Sequence, residues 1–415
     1  MDRLVTPAIL QGRNLLLGLK MGDIAARSGF VLAATFALPI DQAGQFAIIA
    51  TIINLFALAF GFERHIDVQR RTAAASHLVF DTAITDAIRF YGLNYLLMAP
   101  FLIVAVLFWG KVGLQLAGLA LLIAIGEQLS NHIYNYALIA GRYTVLMAVV
   151  LVKNLALVLI ILWIALVGGG LGLFATISLW ALATAISIAA VAVVWLRFRL
   201  SPSAGTQPLR NGVLVQYRAS LTHFVIGIVA VLVIQYDRLA VGALMSLSEV
   251  GIYLRHMLLV SLAYQAFTIL SFGRTMPRVF ADAVTGTNDH LRAIVRAEYW
   301  KTLIGTPVLF AVAWAADEIT GGVYSRMFHL QLPLMGVLLL AFMLRAAADL
   351  QGCILNARML ERVVLRNQLM AFAIGAAILV LLVWWLGLAG AAAASVITSA
   401  IYFIANREAV RRLAA

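Results

Sequence analysis

Val231 to Val260 reads VLVIQYDRLAVGALMSLSEVGIYLRHMLLV, an apolar stretch that nevertheless carries Asp237 beside Arg238 and Arg255 beside His256. Ionised groups in such surroundings are costly and usually face a bundle interior, an aqueous cavity or a substrate path. Three further cations, Arg27, Lys153 and Arg345, also sit within apolar runs. A guanidinium offers a fork of donors that matches phosphate oxygens, so a set dominated by arginine suits a phosphate or pyrophosphate anion. Arg27, Arg238, Arg255, Arg345 and Lys153 are therefore the candidate anion-binding residues.

The acidic and polar candidates are Asp237, Glu127, Asn131, His132 and Asp349, with coupling or gating as their expected role. Glu127, Asn131, His132 and Asn135 follow i, i+4, i+5, i+8, which draws a polar stripe along one helix. Such a stripe can hold a coupling cation or a sugar, or simply hydrogen-bond between helices. Arg345 and Asp349 stand at i, i+4 and can pair with each other. Asp237 and Arg238 are about 100° apart on a helix and point different ways, which leaves a cross-helix partner such as Arg255 open to Asp237.

Other chemistries lack their residues. Gly168-Gly169-Gly170-Leu171-Gly172 has no lysine to complete a phosphate loop. The one cysteine, Cys353, excludes an internal disulfide. Nothing marks a metal centre, a cofactor site or a nucleophile, so no catalytic residue is expected.

These residues are carried by an unusually apolar chain. Of 415 residues, 63% are hydrophobic and 12% charged, and the mean hydropathy is +0.98. A soluble chain of this length needs more charged surface. The fold class is all-α, a polytopic membrane protein. A crossing takes about 20 apolar residues, and runs of that kind between turn signals mark twelve spans: 22–39, 43–62, 89–109, 113–138, 144–167, 171–196, 219–245, 249–273, 297–316, 330–350, 364–386 and 389–406.

The net charge of +12 has a reading other than nucleic acid. Twenty-four of the 30 Lys and Arg, counting Lys153 and others just inside the helix ends, fall at the termini and on alternate connections, against only Lys111 and Arg326 on the opposite side. That asymmetry places both termini in the cytoplasm, and no nucleic-acid partner is expected. With this orientation, Arg27, Arg345 and Asp349 lie in the inner part of the membrane, while Arg238 and Arg255 lie in the outer half.

The segment RFRLSPSAGTQPLRNG has the composition of a linker. The expected organisation is a cytoplasmic interfacial segment (1–21), a six-helix lobe (22–196), a cytoplasmic linker (197–218), a second six-helix lobe (219–406) and a cytoplasmic tail (407–415). The lobes carry a faint repeat. Asp41-Gln42-Ala43-Gly44-Gln45-Phe46 and Ser248-Glu249-Val250-Gly251-Ile252-Tyr253 occupy corresponding turns, their glycines 207 residues apart. Six spans per lobe bring both lobes in from the same side, and repeats of that kind are related by an axis along the membrane normal.

Gly44-Gln45-Phe46, Gly61-Phe62-Glu63-Arg64, Tyr236-Asp237-Arg238 and Glu249-Val250-Gly251-Ile252-Tyr253 occur in an order that resembles the polysaccharide flippases of the multidrug/oligosaccharidyl-lipid/polysaccharide exporter superfamily. The resemblance covers essentially the whole chain on soft motifs. It implies a MATE-like, V-shaped bundle of two lobes in the bacterial inner membrane. It further implies a transporter, not an enzyme, that carries a polyprenyl-pyrophosphate-linked oligosaccharide from the cytoplasmic to the outer leaflet for surface polysaccharide synthesis. Membrane lipids and H+ or Na+ as coupling ion would be its other partners. The competing expectations are an ion-coupled multidrug exporter of the same superfamily and a membrane glycan polymerase or ligase. A cationic-drug exporter should favour buried carboxylates over arginines, and a polymerase should carry a substantial outer loop.

Overall fold

The structure is a computed structural model that describes residues 7–62, 64, 77–140, 144–167, 170–199, 213–267, 279, 288–322 and 330–413. Among these residues the only regular structure is helix. In chain order the helices are α1 (Pro7–Ala37), α2 (Ile40–Gly61), α3 (His77–Gly110), α4 (Leu114–Ala140), α5 (Thr144–Leu166), α6 (Leu173–Arg199), α7 (Val213–Leu244), α8 (Leu247–Phe267), α9 (Asn288–Ile319) and α10 (Leu332–Ala357). A last helical stretch, Glu361–Arg412, leaves helical backbone at Gly387, with φ 59° and ψ −134°. Its arms are α11 (361–386) and α12 (388–412). Each of the twelve expected spans falls on a helix where it is described; residues 268–273 of the span 249–273 lie outside the described residues.

Helix is the outcome that lipid demands, because it satisfies every backbone N–H and C=O within one segment. Among the described residues, eight helical stretches are long and apolar enough to cross a membrane, or nine with the bent α7 counted as one. Glu361–Arg412 counts once among them. Helices α1 and α8 fall outside the set; they carry Asp23 and Arg27, and Glu249 and Arg255. Many of the exposed side chains are large and apolar, including Leu96, Phe101, Phe108 and Trp163. That is the surface a lipid-facing protein presents.

The chain divides into two compact units, Met1–Val231 and Leu232–Ala415. The division falls inside α7. The early turns of α7 pack on the first unit: Tyr217 donates its hydroxyl to Asn94 Oδ1, and Phe224 stacks on Phe62 with ring centroids 4.0 Å apart.

In the first unit α1 packs on α5, and α2 on α3 and α4, while α4 also packs on α6. Small residues set the close approaches. A Cβ at Gly126 would overlap Thr184 of α6, and one at Gly61 would overlap the His132 ring of α4. The Gly44-Gln45-Phe46 motif works at the start of α2. Gln45 Nε2 donates to Gly110 O (3.3 Å) and Lys111 O (3.4 Å) at the end of α3. Gln42 Oε1 accepts the first backbone N–H of α6, from Leu173, at 2.7 Å. One turn thus caps two neighbouring helices, meeting the unpaired backbone groups that helix ends leave.

In the second unit α10 packs on α8, α9 and the α11–α12 pair. The two arms fold back on each other as a hairpin. Asn367 Nδ2 donates to Asn406 Oδ1 at 3.0 Å, and a Cβ at Gly375 would overlap Thr398. Asn406 Nδ2 in turn donates to Ala348 O of α10 at 3.1 Å.

Candidate functional site

The ionisable residues of the first unit converge on one carboxylate. Glu127 of α4 is 2% exposed and meets cations from two other helices. Lys153 of α5 places Nζ 2.8 Å from its Oε1, and Arg27 of α1 places Nη2 3.1 Å from its Oε2. Trp180 of α6 adds an indole N–H to Oε1 at 3.1 Å. Arg27 Nη2 also donates to Asn54 Oδ1 of α2 at 3.1 Å. Beside this group, Asn154 donates to Asp23 Oδ1 at 2.6 Å. A buried carboxylate is tolerable only when paired and fully hydrogen-bonded, and these donors meet that need.

The two cations are not equivalent. The Lys153 side chain is sealed at 2% exposure, whereas Arg27 keeps 29%. Lys153 and Arg27 are balanced by two carboxylates, Glu127 and Asp23, the latter one turn before Arg27 on α1. Only Nη2 of Arg27 contacts Glu127 and Asn54.

The polar stripe predicted along α4 separates into different environments. Glu127 turns to α1, α5 and α6. His132 instead meets the Tyr91 hydroxyl of α3 through Nδ1. Asn131 is half-buried and makes no hydrogen bond among the described residues. The side chain of Asn135 lies outside the described residues. Neighbouring Gln128 accepts the Tyr95 hydroxyl.

The second unit holds a different network. Asp237 of α7 is 3% exposed; its Oδ2 accepts the Tyr253 hydroxyl of α8 at 2.7 Å, and its Oδ1 accepts the Arg238 backbone N–H at 2.8 Å. Tyr236 O–H lies 3.0 Å from Thr398 Oγ1 of α12. On α10, Arg345 pairs with Asp349 at 3.3 Å, and Asp349 also accepts the Tyr264 hydroxyl at 2.7 Å. The Arg345 guanidinium lies 4.6 Å from the centroid of the Tyr402 ring, a cation–π distance. A cavity of about 40 Å³ touches Asp237, Arg345, Ser395 and Thr398.

Arg238 is half-buried, and its Nε makes no hydrogen bond among the described residues. Arg255 is buried two residues beyond Tyr253. Its neighbour His256 bridges helices: Nδ1 lies 2.7 Å from Ile252 O, and Nε2 accepts the Gln331 N–H at the start of α10 at 2.6 Å. That geometry requires the neutral ring with its proton on Nδ1.

The offset of 207 exposes a substitution between the repeats. Phe46 corresponds to Tyr253, and Phe30 to Asp237. In the first unit the pair is an edge-on aromatic contact with centroids 6.1 Å apart. In the second it is the O–H···O bond to Asp237. The same position in the repeat is dry in one unit and polar in the other.

Several members of these networks escaped the sequence reading: Asp23, Asn54 and Trp180 in the first unit, and Tyr264, Thr398 and Tyr402 in the second. Asp23 had a signal, since it stands i, i+4 from Arg27 on one helix. Tyr264 and Tyr402 had none, because an aromatic residue in an apolar run reads as core until a partner is seen; Tyr236 and Tyr253 stood out only as parts of motifs.

No protein-family model and no curated protein matches the chain. Solved structures do. One, in an inward-facing conformation, is a multidrug resistance MATE family transporter of the MOP superfamily, with a TM-score of 0.69 at 14% identity over 96% of this chain and 94% of that one. The eukaryotic MATE transporter AtDTX14 matches with a TM-score of 0.64 at 14% identity over 97% and 96% of the two chains. The MATE multidrug transporter DinF-BH matches with 0.60 at 19% identity over 99% and 97%. The chain has the fold of the MATE transporters, a polytopic helical membrane fold. The coverage is nearly complete in both directions, so the likeness holds for the whole fold.

Proposed function

We propose that this protein is an alternating-access membrane transporter that carries a polyprenyl-pyrophosphate-linked oligosaccharide from the cytoplasmic to the outer leaflet of the inner membrane. The observation that carries this reading is the Arg27 guanidinium beside Glu127, which keeps 29% exposure while Lys153 is sealed. A pyrophosphate is an anion suited to such a fork, and its polyprenyl tail is at home in lipid. The buried Nε of Arg238 supplies an unmatched donor in the second unit. A MATE fold is consistent with transport. The test is the leaflet accessibility of polyprenyl-linked sugar in cells with and without the protein, in a strain with no second flippase. Trapping of the precursor on the cytoplasmic side is the expected result, and normal export in its absence removes this reading.

A second reading, an ion-coupled multidrug exporter, is favoured by the buried carboxylates Asp23, Glu127 and Asp237 and by the multidrug transporters that share the fold. Uptake of a cationic dye into everted vesicles, driven by an H+ or Na+ gradient and lost in Glu127→Gln, would establish it over the flippase.

A further inference from the structure

The α11–α12 hairpin distributes its charge in an uneven way. Between Asn367 and Asn406 there is no Asp, Glu, Lys, Arg or His. At about 1.5 Å per residue, the arm from Asn367 to the bend at Gly387 spans roughly 30 Å, the thickness of a bilayer's hydrocarbon core. All five cations of the hairpin, Arg362, Arg366, Arg407, Arg411 and Arg412, lie just beyond that stretch at its open end. The opposite end carries Trp384 and Trp385, 79% and 77% exposed, as an interfacial aromatic pair. The arginines are thereby set at head-group depth.

Their position is built, because an apolar cluster lies beneath them. Val364 of α11 and Val410 of α12 pack with Leu291 and Val295 of α9 and with Ile354 and Leu355 of α10. Arg292 of α9 donates to Val410 O at 2.6 Å, which fastens the end of α12. Against five arginines the hairpin offers two carboxylates. Glu408 takes both Arg411 (3.7 Å) and Arg412 (3.3 Å), and the other is Glu361. Arg362, Arg366 and Arg407 are exposed and make no ion pair among the described residues. Like charges crowded onto rigid helix ends repel one another unless a counter-anion sits among them.

We propose that the open end of the α11–α12 hairpin is a binding surface for anionic phospholipid head groups in the leaflet on the side of the C-terminus. Each basic residue at a membrane surface contributes to anionic-lipid attraction, and the attraction is screened by salt. Native mass spectrometry of delipidated protein, titrated with phosphatidylglycerol or phosphatidylcholine in mixed micelles, reads the preference. The wild type should retain phosphatidylglycerol over phosphatidylcholine. The combined R362Q/R366Q/R411Q/R412Q variant should lose that preference about tenfold or more, and the corresponding four-lysine variant should keep it. Should the glutamine variant not fold, the wild type decides: its preference should fade as salt is raised, and inorganic phosphate at matched ionic strength should do no more than chloride. Equal retention of the two lipids, an unchanged preference in the glutamine variant, insensitivity to salt, or displacement by phosphate specifically would each overturn the proposal.

Discussion

Glu127 accepts from Lys153 and Trp180 and pairs with Arg27, so its removal leaves two cations facing a hole in their own network. Breaking a buried pair by deleting one partner costs about 3–5 kcal/mol, because the remaining charge is uncompensated. Glu127→Gln should therefore lower the thermal midpoint of the purified protein by several degrees. Lys153→Met in the same background should restore much of it by removing the stranded ammonium. A midpoint unchanged in the single variant would show that water or lipid compensates the charge. Arg27 is the more exposed cation and should show in binding more than in folding. Arg27→Ala should weaken head-group binding tenfold or more, as the loss of about 1.5–3 kcal/mol from a charge-assisted hydrogen bond requires. Arg27→Lys should recover only part, since it keeps the charge and loses the fork. Wild-type binding by the alanine variant would take Arg27 off the substrate path.

Among the helices, the α11–α12 hairpin depends on two glycines for different reasons. Gly387 holds φ 59° and ψ −134°, a backbone region that a Cβ disfavours. Gly387→Ala should cost about 1–3 kcal/mol, read as a lower thermal midpoint with the secondary structure retained. Gly375 lies where a Cβ would overlap Thr398, a short side chain with no room to swing away. Gly375→Leu should destabilise more than Gly387→Ala, and Thr398→Ala should relieve the defect in part. The prediction fails if circular dichroism melts of Gly375→Leu and the wild type coincide. The Gln45 contacts belong here as well: a soft motif of the sequence turns out to cap the end of α3, a structural duty that says nothing of cargo.

Taken as a whole, the molecule's orientation is proposed from its charge asymmetry. With both termini and residues 197–218 in the cytoplasm, a cysteine introduced at Gly205 should resist an impermeant maleimide in intact cells and react once the membrane is opened. A cysteine at Lys111, an exposed position in the turn between α3 and α4, should react in intact cells. Labelling of the two positions in the reverse order would invert the orientation. It would also move Arg27 to the outer side, with Arg238 and Arg255 exchanging depth with it. Arg326, the other outward cation of the sequence, lies outside the described residues.

The helical membrane class was readable from residue order alone, because a bilayer imposes a length on every apolar run and lipid leaves the backbone no alternative to helix. Arg27, Lys153, Arg345 and Glu127 stood out for the same reason, as charges in a place where charge is expensive. What residue order could not say was which of them meet. Helical spacing put Glu127, Asn131 and His132 on one stripe. Yet Glu127 serves Arg27 and Lys153 while His132 turns to Tyr91, because each side chain's partner depends on which neighbouring helix stands beside it and at what height. Asp237 likewise found Tyr253, an aromatic residue that its own helix gives no hint of. Spacing along one helix supplies an angle; a partner needs the positions of two helices, and only packing provides the second.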